Sequence, residues 1–397
     1  MKHPAQTPVV GMVGGGQLAR MTHQAAISLG VPLRVLARDP DDAAAQVCAD
    51  VRIGDERSLD DLRAFAKDCD VVTWDHEHVP QELIKALEEA GTPCRPGSAA
   101  LLHAQDKLVM RERLSSFGAP CPAFARVPRE EPLPFLESFA REHGLPVVVK
   151  ATRGGYDGKG VWVLNDLDRD ARELVDRLLA DGVDLLVEEH VAFRRELAAM
   201  VARSPYGQGA AYPVVETVNR DGVCHEVICP APGLDDDTAA EAHRLALDIA
   251  EHFDVTGILA VELFETDGGL VVNELAMRPH NSGHWTIEGA RTSQFEQHVR
   301  AVLDLPLGST EATAPYVVMA NVFGGGPDDG ADAVYARYVH VMAHDPAVRV
   351  HMYGKRPRPG RKIGHVTALG DDLDEVRARA RHAADYLRWG PAMKEHA

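Results

Sequence analysis

A glutamate stands in the middle of an otherwise apolar run. Residues 258–264 read Ile-Leu-Ala-Val-Glu-Leu-Phe, with Glu262 near their centre, and Asn273-Glu274 end the next run, residues 270–274. Thr266-Asp267-Gly268-Gly269 lies between the two runs and has the turn chemistry of a β-hairpin. The separation, 274 − 262 = 12, suits a short antiparallel return that turns both carboxylates to one face of the sheet. Like charges held on one face repel one another unless a cation lies between them. Two carboxylates and an amide oxygen are hard ligands, which suit Mg²⁺ bridging phosphates. The bland alternative is a pair of solvated acids, and the apolar neighbours of Glu262 argue against it.

A metal of that kind needs a nucleotide, and the residues upstream fit one. Lys150 ends a Val-Val-Val-Lys strand, where a buried ammonium requires an anionic partner. It leads into Thr152-Arg153-Gly154-Gly155-Tyr156-Asp157-Gly158-Lys159-Gly160, followed by a hairpin partner over residues 160–164 that includes Val161. Glycines 154, 155, 158 and 160 let backbone amides approach phosphate oxygens without Cβ clashes. The loop is neither a P-loop nor a kinase loop. Lys107 opens a helix and, taken alone, is a solvated surface lysine. Glu188-Glu189-His190-Val191 ends a strand that can offer backbone groups to an adenine edge, with Glu196 a few residues on; structural acids at a strand end are equally common. Arg278, His280, Asn281 and His284 crowd the segment after Glu274, where they can hold an anion and move protons.

The first hundred residues alternate strand and helix: strands over 8–13, 33–37 and 71–74, helices over 17–29 and 81–90. This predicts a parallel sheet with crossover helices, an α/β unit closed by a Pro- and Gly-bearing linker at 92–98. The Gly14-Gly15-Gly16-Gln17-Leu18-Ala19 turn satisfies a dinucleotide fingerprint, and Asp39 trails it by about twenty residues. Amides at a helix N-terminus attract any phosphate or carboxylate, so the turn does not decide between a dinucleotide, a phosphorylated substrate and a structural bend. From Asp106 the texture turns to antiparallel strands at 145–151, 160–164, 185–189, 197–202, 261–265 and 270–274, with an amphipathic helix over 236–253. After Pro306 comes a strand-rich tail closed by a helix over 373–386. The expected division is 1–105, 106–305 and 306–397, α/β first and α+β after.

A chain of 397 residues exceeds one core. Its net charge of −18 makes it a poor binder of nucleic-acid backbones. No apolar stretch approaches a membrane span of about 18–20 residues, no export signal opens the chain, and the six scattered cysteines include no C-x-x-C pair. A soluble cytoplasmic protein is expected.

The order of these features resembles the ATP-grasp superfamily and, within it, the N5-carboxyaminoimidazole ribonucleotide synthetases, across nearly the whole chain. The most specific piece is N-E-L-A-M-R-P-H-N-S-G-H-W-T at 273–286, supported by G-G-G-Q-L at 14–18 and R-G-G-Y-D-G-K-G at 153–160. H-E-H-V at 76–79 and Y-G-K-R-P-R-P-G-R-K-I-G-H-V at 353–366 also match. Met277 stands where proline is more usual, and Trp74-Asp75-His76 departs from the pattern ahead of Glu77.

The resemblance implies a Rossmann-like preATP-grasp domain, a two-lobed ATP-grasp domain and a small C-terminal domain, assembled as a homodimer. It implies ATP-dependent carboxylation of 5-aminoimidazole ribonucleotide by bicarbonate through carboxyphosphate, in purine biosynthesis. ATP would be held by Lys107, Lys150, Gly155, Tyr156, Asp157, Gly158, Lys159, Gly160, Val161, Glu188, Glu189, His190, Val191, Glu196, Asn219, Asn273 and Glu274. Glu262 and Glu274 would carry Mg²⁺. Gly16, Gln17, Leu18, Glu77, Lys355 and Arg361 would hold the ribonucleotide. Tyr156, Arg278, His280, Asn281 and Lys355 would surround bicarbonate. Rival readings are a formate-using glycinamide ribonucleotide transformylase or biotin carboxylase, an NAD-dependent oxidoreductase, and a non-catalytic nucleotide sensor.

Overall fold

The structure, a computed structural model, describes residues 7–155, 159–325 and 330–395. Tyr156, Asp157 and Gly158 of the expected phosphate loop lie outside the described residues.

The N-terminal unit is built as its alternation predicts. Strands β1 (Val10–Val13) and β2 (Leu33–Ala37) flank helix α1 (Gln17–Ser28) in sequence, and β3 (Asp50–Ile53), α2 (Leu59–Ala66) and β4 (Val71–Trp74) follow. They form a parallel sheet in the order β3-β2-β1-β4. Every residue of β1, β2 and β4 is buried, Arg34 and Thr73 included, as in a sheet covered on both faces. β3 is an edge strand with two exposed residues, and the sequence gives no sign of it. Helices α3 (Gln81–Glu89) and α4 (Ser98–Gln105) complete the unit. The 92–98 segment is not a bare linker: Cys94 bridges to Val72 beside β4.

Helix α5 (Lys107–Ser116) leads into a four-stranded antiparallel sheet, β5-β8-β6-β7. Its strands are β5 (Phe124–Arg126), β6 (Val147–Ala151), β7 (Val161–Leu164) and β8 (Leu185–Glu189). Helices α6 (Pro132–His143) and α7 (Arg169–Ala180) bury Leu136, Phe139, Val175 and Leu179 against Val147, Val149, Leu185 and Val187. Because strand side chains alternate, Val148, Lys150 and Glu188 point the other way, into the central cleft.

The remaining strands make a nine-stranded sheet in the order β14-β13-β9-β11-β12-β15-β17-β16, with β10 paired to β9. They are β9 (Arg195–Arg203), β10 (Gly209–Ala211), β11 (Val215–Arg220), β12 (Val223–Cys229), β13 (Gly257–Thr266), β14 (Gly269–Ala276), β15 (Tyr316–Phe323), β16 (Arg349–Met352) and β17 (Lys362–Gly370). Helix α8 (Asp236–His252) covers β9 and β13 with Leu245, Ala246 and Ile249. Helices α9 (Thr286–Gly289), α10 (Gln294–Val302), α11 (Ala331–Ala336) and α12 (Tyr338–His344) fill the connections, and α13 (Leu373–Trp389) packs on β15 and β17. The tail after residue 306 is strand-rich and helix-closed as expected. Its strands are not a separate sheet, because β15 pairs directly with β12.

Candidate active site

The three units enclose one large cleft of about 1420 Å³. On its floor, β13 and β14 pair with Glu262 directly opposite Glu274. A bulge follows at Glu262/Leu263, so one strand gains a residue there and Asn273 is drawn onto the same face. The Asn273 amide lies 3.4 Å from the Glu262 carboxylate. Val261 and Leu263, pointing the other way, are buried beneath α8. The hairpin therefore turns its acids into the cleft and its apolar neighbours into the core.

The two acids have different surroundings. Glu274 receives the Lys107 ammonium in a close ion pair. The helix that carries this lysine is set by Asp106, whose carboxylate caps the amides of Leu108 and Val109 at 3.1 and 3.2 Å. Glu262 meets the Asn273 amide at 3.4 Å and the His280 imidazole at 3.6 Å. Burial, and then the neighbouring Glu274 and Glu196 charges, raise the pKa of its carboxyl. Two carboxylates and an amide gathered on one face offer hard oxygen ligands, so the residues present fit Mg²⁺.

The opposite wall carries the cations and the glycine loop. Lys150 is buried and its Nζ lies 2.7 Å from Glu188. Burial lowers the Lys150 pKa, opposed by the Glu188 charge. Arg111 is fully buried and donates from Nε to Glu188 at 2.6 Å. Its other nitrogens donate to the carbonyls of Val272 and Asn273 at 3.0 and 2.8 Å. Burial alone would raise the Glu188 carboxyl; the Arg111 and Lys150 charges outweigh it and bring the value down to about 2. The Glu188 side chain is thus committed to the wall, which leaves the strand's backbone and Glu189, His190 and Val191 along the cleft. Glu189 is itself tied by the Ala123 amide at 2.8 Å.

Gly154, Gly155, Lys159 and Val161 line the cleft above this wall. Gly160 has φ +74°, a left-handed conformation that favours glycine. A Cβ on Gly155 would stand 2.6 Å from the Lys159 carbonyl, so the two limbs of the loop approach only because that position is glycine. Across from them, Asn219 donates to Glu196 at 2.7 Å, and burial raises the Glu196 pKa.

The third wall belongs to the N-terminal unit and the segment after Glu274. Arg278 donates from Nε to Glu77 at 2.6 Å, and Glu77 more than offsets the burial that disfavours its charge. The second Glu77 oxygen, Oε1, and the Asn219 Oδ1 are buried acceptors with no donor among the described residues, as expected of groups awaiting a ligand. His280 is oriented by Ser282 Oγ, 2.9 Å from its Nδ1. Burial, Arg278 and Lys362 bring His280 down to about 3, so its ring is neutral. Asn281 completes this wall. His284 is the ordinary buried histidine of the group, bonded to Gln294 at 3.0 Å.

Gln17 and Leu18 also line the cleft, and the Lys355 ammonium donates to the Gln17 side chain. Burial, then Arg361, lowers Lys355 to about 8. Gly16 sits behind them, its amide donating to Asp75 at 2.7 Å. Arg361 is exposed and is not part of the cleft wall.

The dinucleotide fingerprint has a plain structural explanation. The Asp75 carboxylate takes the Gly16 and Ala19 amides at 2.7 and 2.8 Å, which fills the helix N-terminus with the protein's own anion. A diphosphate has no seat there. Sequence reasoning missed Asp75 as a cap and Arg111 altogether: an arginine within a helix gives no sign of partners 77 and 161 residues away.

Comparison with known proteins adds the decisive observation. The chain is 56% identical over 393 residues to the N5-carboxyaminoimidazole ribonucleotide synthase of Mycobacterium tuberculosis, covering 98% of this chain and 90% of that one. The chain belongs to the N5-carboxyaminoimidazole ribonucleotide synthase family. Residues 8–105 match a ribonucleotide synthetase preATP-grasp domain, 112–295 an ATP-grasp domain, and 317–379 a phosphoribosylaminoimidazole carboxylase C-terminal domain. Among solved members, the synthetase from Thermus thermophilus superposes with a TM-score of 0.83 at 36% identity, covering 94% of this chain and 98% of that one. The Aspergillus clavatus synthase, in complex with ADP and 5-aminoimidazole ribonucleotide, gives 0.86 at 30%, covering 96% and 98%. For a member of this family, the ATP-grasp fold accounts for the cleft lying between the four-stranded and nine-stranded sheets. Among the described residues no helix is long and apolar enough to cross a membrane.

Proposed function

We propose that the chain uses ATP to join bicarbonate to the amine of 5-aminoimidazole ribonucleotide, giving N5-carboxyaminoimidazole ribonucleotide, ADP and phosphate through carboxyphosphate. The observation that carries the reading is the paired Glu262 and Glu274 facing the Gly154–Gly155 loop across one cleft. Residues 1–105, 106–305 and 306–397 are proposed as the preATP-grasp, ATP-grasp and C-terminal domains, a division the three family matches support.

ATP is proposed to lie between the glycine loop and the end of β8, its base against Glu189, His190 and Val191 and its ribose near Glu196 and Asn219. Lys107, Lys150 and the described loop residues Gly155, Lys159, Gly160 and Val161 then face the phosphates. Mg²⁺ held by Glu262 and Glu274, with the Asn273 amide oxygen, would neutralise charge on the β- and γ-phosphates. An ion there would offset the repulsion between the two carboxylates set opposite each other.

Arg278, fixed by Glu77, holds the carboxylate of bicarbonate and of carboxyphosphate in place. Glu77 Oε1 accepts a hydrogen bond from the ribonucleotide, and Gln17, Leu18 and Lys355 flank it, with Gly16 shaping the turn and Arg361 at the mouth. His280, neutral in the free enzyme, gains proton affinity when anions arrive beside it and so accepts the proton released by the attacking amine. Asn281 completes the bicarbonate pocket, and the role expected of Tyr156 falls outside the described residues. Carboxyphosphate is a mixed anhydride, so the glycine loop serves to exclude water. A homodimer working in the cytoplasm is the proposed setting.

The test is ADP release with ATP, Mg²⁺ and bicarbonate, with and without 5-aminoimidazole ribonucleotide. Release that rises with the ribonucleotide is expected. Turnover indifferent to it, or sustained by formate in place of bicarbonate, overturns the reading.

A further inference from the structure

Three histidines far from the cleft wall converge on one point. His340 and His344 are four residues apart on α12, spacing that places them on one helix face. His382 meets them from α13. One nitrogen from each ring lies within 4.8 Å of the other two. The Nε2 atoms of His340 and His382 are 3.4 Å apart. Two imidazole nitrogens that share a tetrahedral cation, each about 2.0–2.1 Å from it, stand roughly 3.4 Å from one another. A hydrogen bond between two rings would use a single N–H and give the third ring nothing, whereas all three nitrogens approach together here.

The rings are also held in place. His340 stacks on Tyr386 with centroids 3.6 Å apart and planes 14° from parallel, and His344 lies 4.3 Å from His382. His382 is half-buried and His344 is exposed, which leaves one side open to solvent. None of the three lines the cleft.

We propose that His340, His344 and His382 form a binding site for a divalent cation of the zinc, nickel and copper class, with water in the remaining position. Imidazole suits these ions, while hard Mg²⁺ prefers the oxygen ligands of the β13–β14 hairpin. The ion acts as a staple: it fixes α12, in the connection between β15 and β16, to the C-terminal helix.

The experiment uses the full chain, stripped with a chelator and returned to excess Mg²⁺. Zn²⁺ is titrated against a chromophoric competitor, and the melting temperature is followed in parallel. One tight equivalent that raises Tm is expected. H344N, which changes an exposed ring, should bind at least about 100-fold more weakly, because even loss of an outer-shell partner costs 10–100-fold. Co²⁺ should give visible ligand-field absorption in the wild type and lose it in H344N. Equal Zn²⁺ affinity in wild type, H344N and H382N overturns the proposal, as does the absence of any tight equivalent. Binding that survives H344N and disappears with E262Q assigns the ion to the carboxylate hairpin and overturns it too. If H382N fails to fold, the wild-type and H344N Co²⁺ spectra decide alone.

Discussion

The turn before α1 and the β13–β14 hairpin both look in sequence like receptors for a charged ligand, and the structure treats them in opposite ways. At the turn, the amides that would attract a phosphate are already taken by Asp75, at 2.7 and 2.8 Å. At the hairpin, folding brings two carboxylates together and, among the described residues, sets the close Lys107 ion pair on Glu274, while Glu262 meets an amide and an imidazole. The turn is locally complete, and the hairpin is not. A binding site is marked by charge the fold leaves uncompensated, and a motif reports only that the backbone could have left some.

This contrast can be broken at four points. The largest effect is expected just behind the hairpin. Arg111→Met leaves Glu188 buried with Lys150 as its only cation and releases the carbonyls of Val272 and Asn273. It should cost about 3–5 kcal/mol of stability, as breaking a buried ion network does. Chemical denaturation measures this, and a loss below about 1 kcal/mol would mean the network is not what holds β14 in place.

Next comes Glu262→Gln, which removes uncompensated charge. Turnover should fall by about 10²–10³, while the melting temperature holds or rises because a like-charge contact is gone. A Tm drop comparable to that of Arg111→Met would show that the hairpin needs this acid to fold, which contradicts the comparison. Asp75→Ala tests the turn. Removing the carboxylate that caps α1 should cost about 1–2 kcal/mol. NADH should bind neither wild type nor variant; binding by the wild type would mean the cap is not a filled seat.

The smallest effect is a slope. The folded Glu188 value of about 2 lies below its ordinary 4.5. Its contribution to stability is therefore full above about pH 4.5 and is lost as the pH falls toward 2. Plots of Tm against pH should be steeper in that window for wild type than for Glu188→Gln, and parallel plots would remove the Arg111–Glu188–Lys150 cluster from the acid response.

Much of this was legible because it is local. The hairpin follows from one glutamate among apolar residues and a Gly-Gly turn. The glycine loop follows from four glycines beside Lys150, and the parallel sheet from the alternation of strand and helix over the first hundred residues. What escaped depends on distance or on silence. Arg111 acts on Glu188 and Asn273, and nothing near it in sequence points there. Asp75 ends a strand like any other acid, and its role as a cap appears only when β4 lies beside the start of α1. β3 is a polar edge strand without a periodic signal. The buried Glu188 carboxylate, legible as an acid at a strand end, proved to be held by cations of its own wall.

The pairing of β15 with β12 has one more consequence. Ending the chain near residue 306 would not detach a module; it would strip the covering from a central strand and bare a ladder of unpaired amides and carbonyls. Such a truncation should produce aggregates rather than a smaller working ligase, so the last ninety residues belong to the catalytic body as much as the β13–β14 hairpin does.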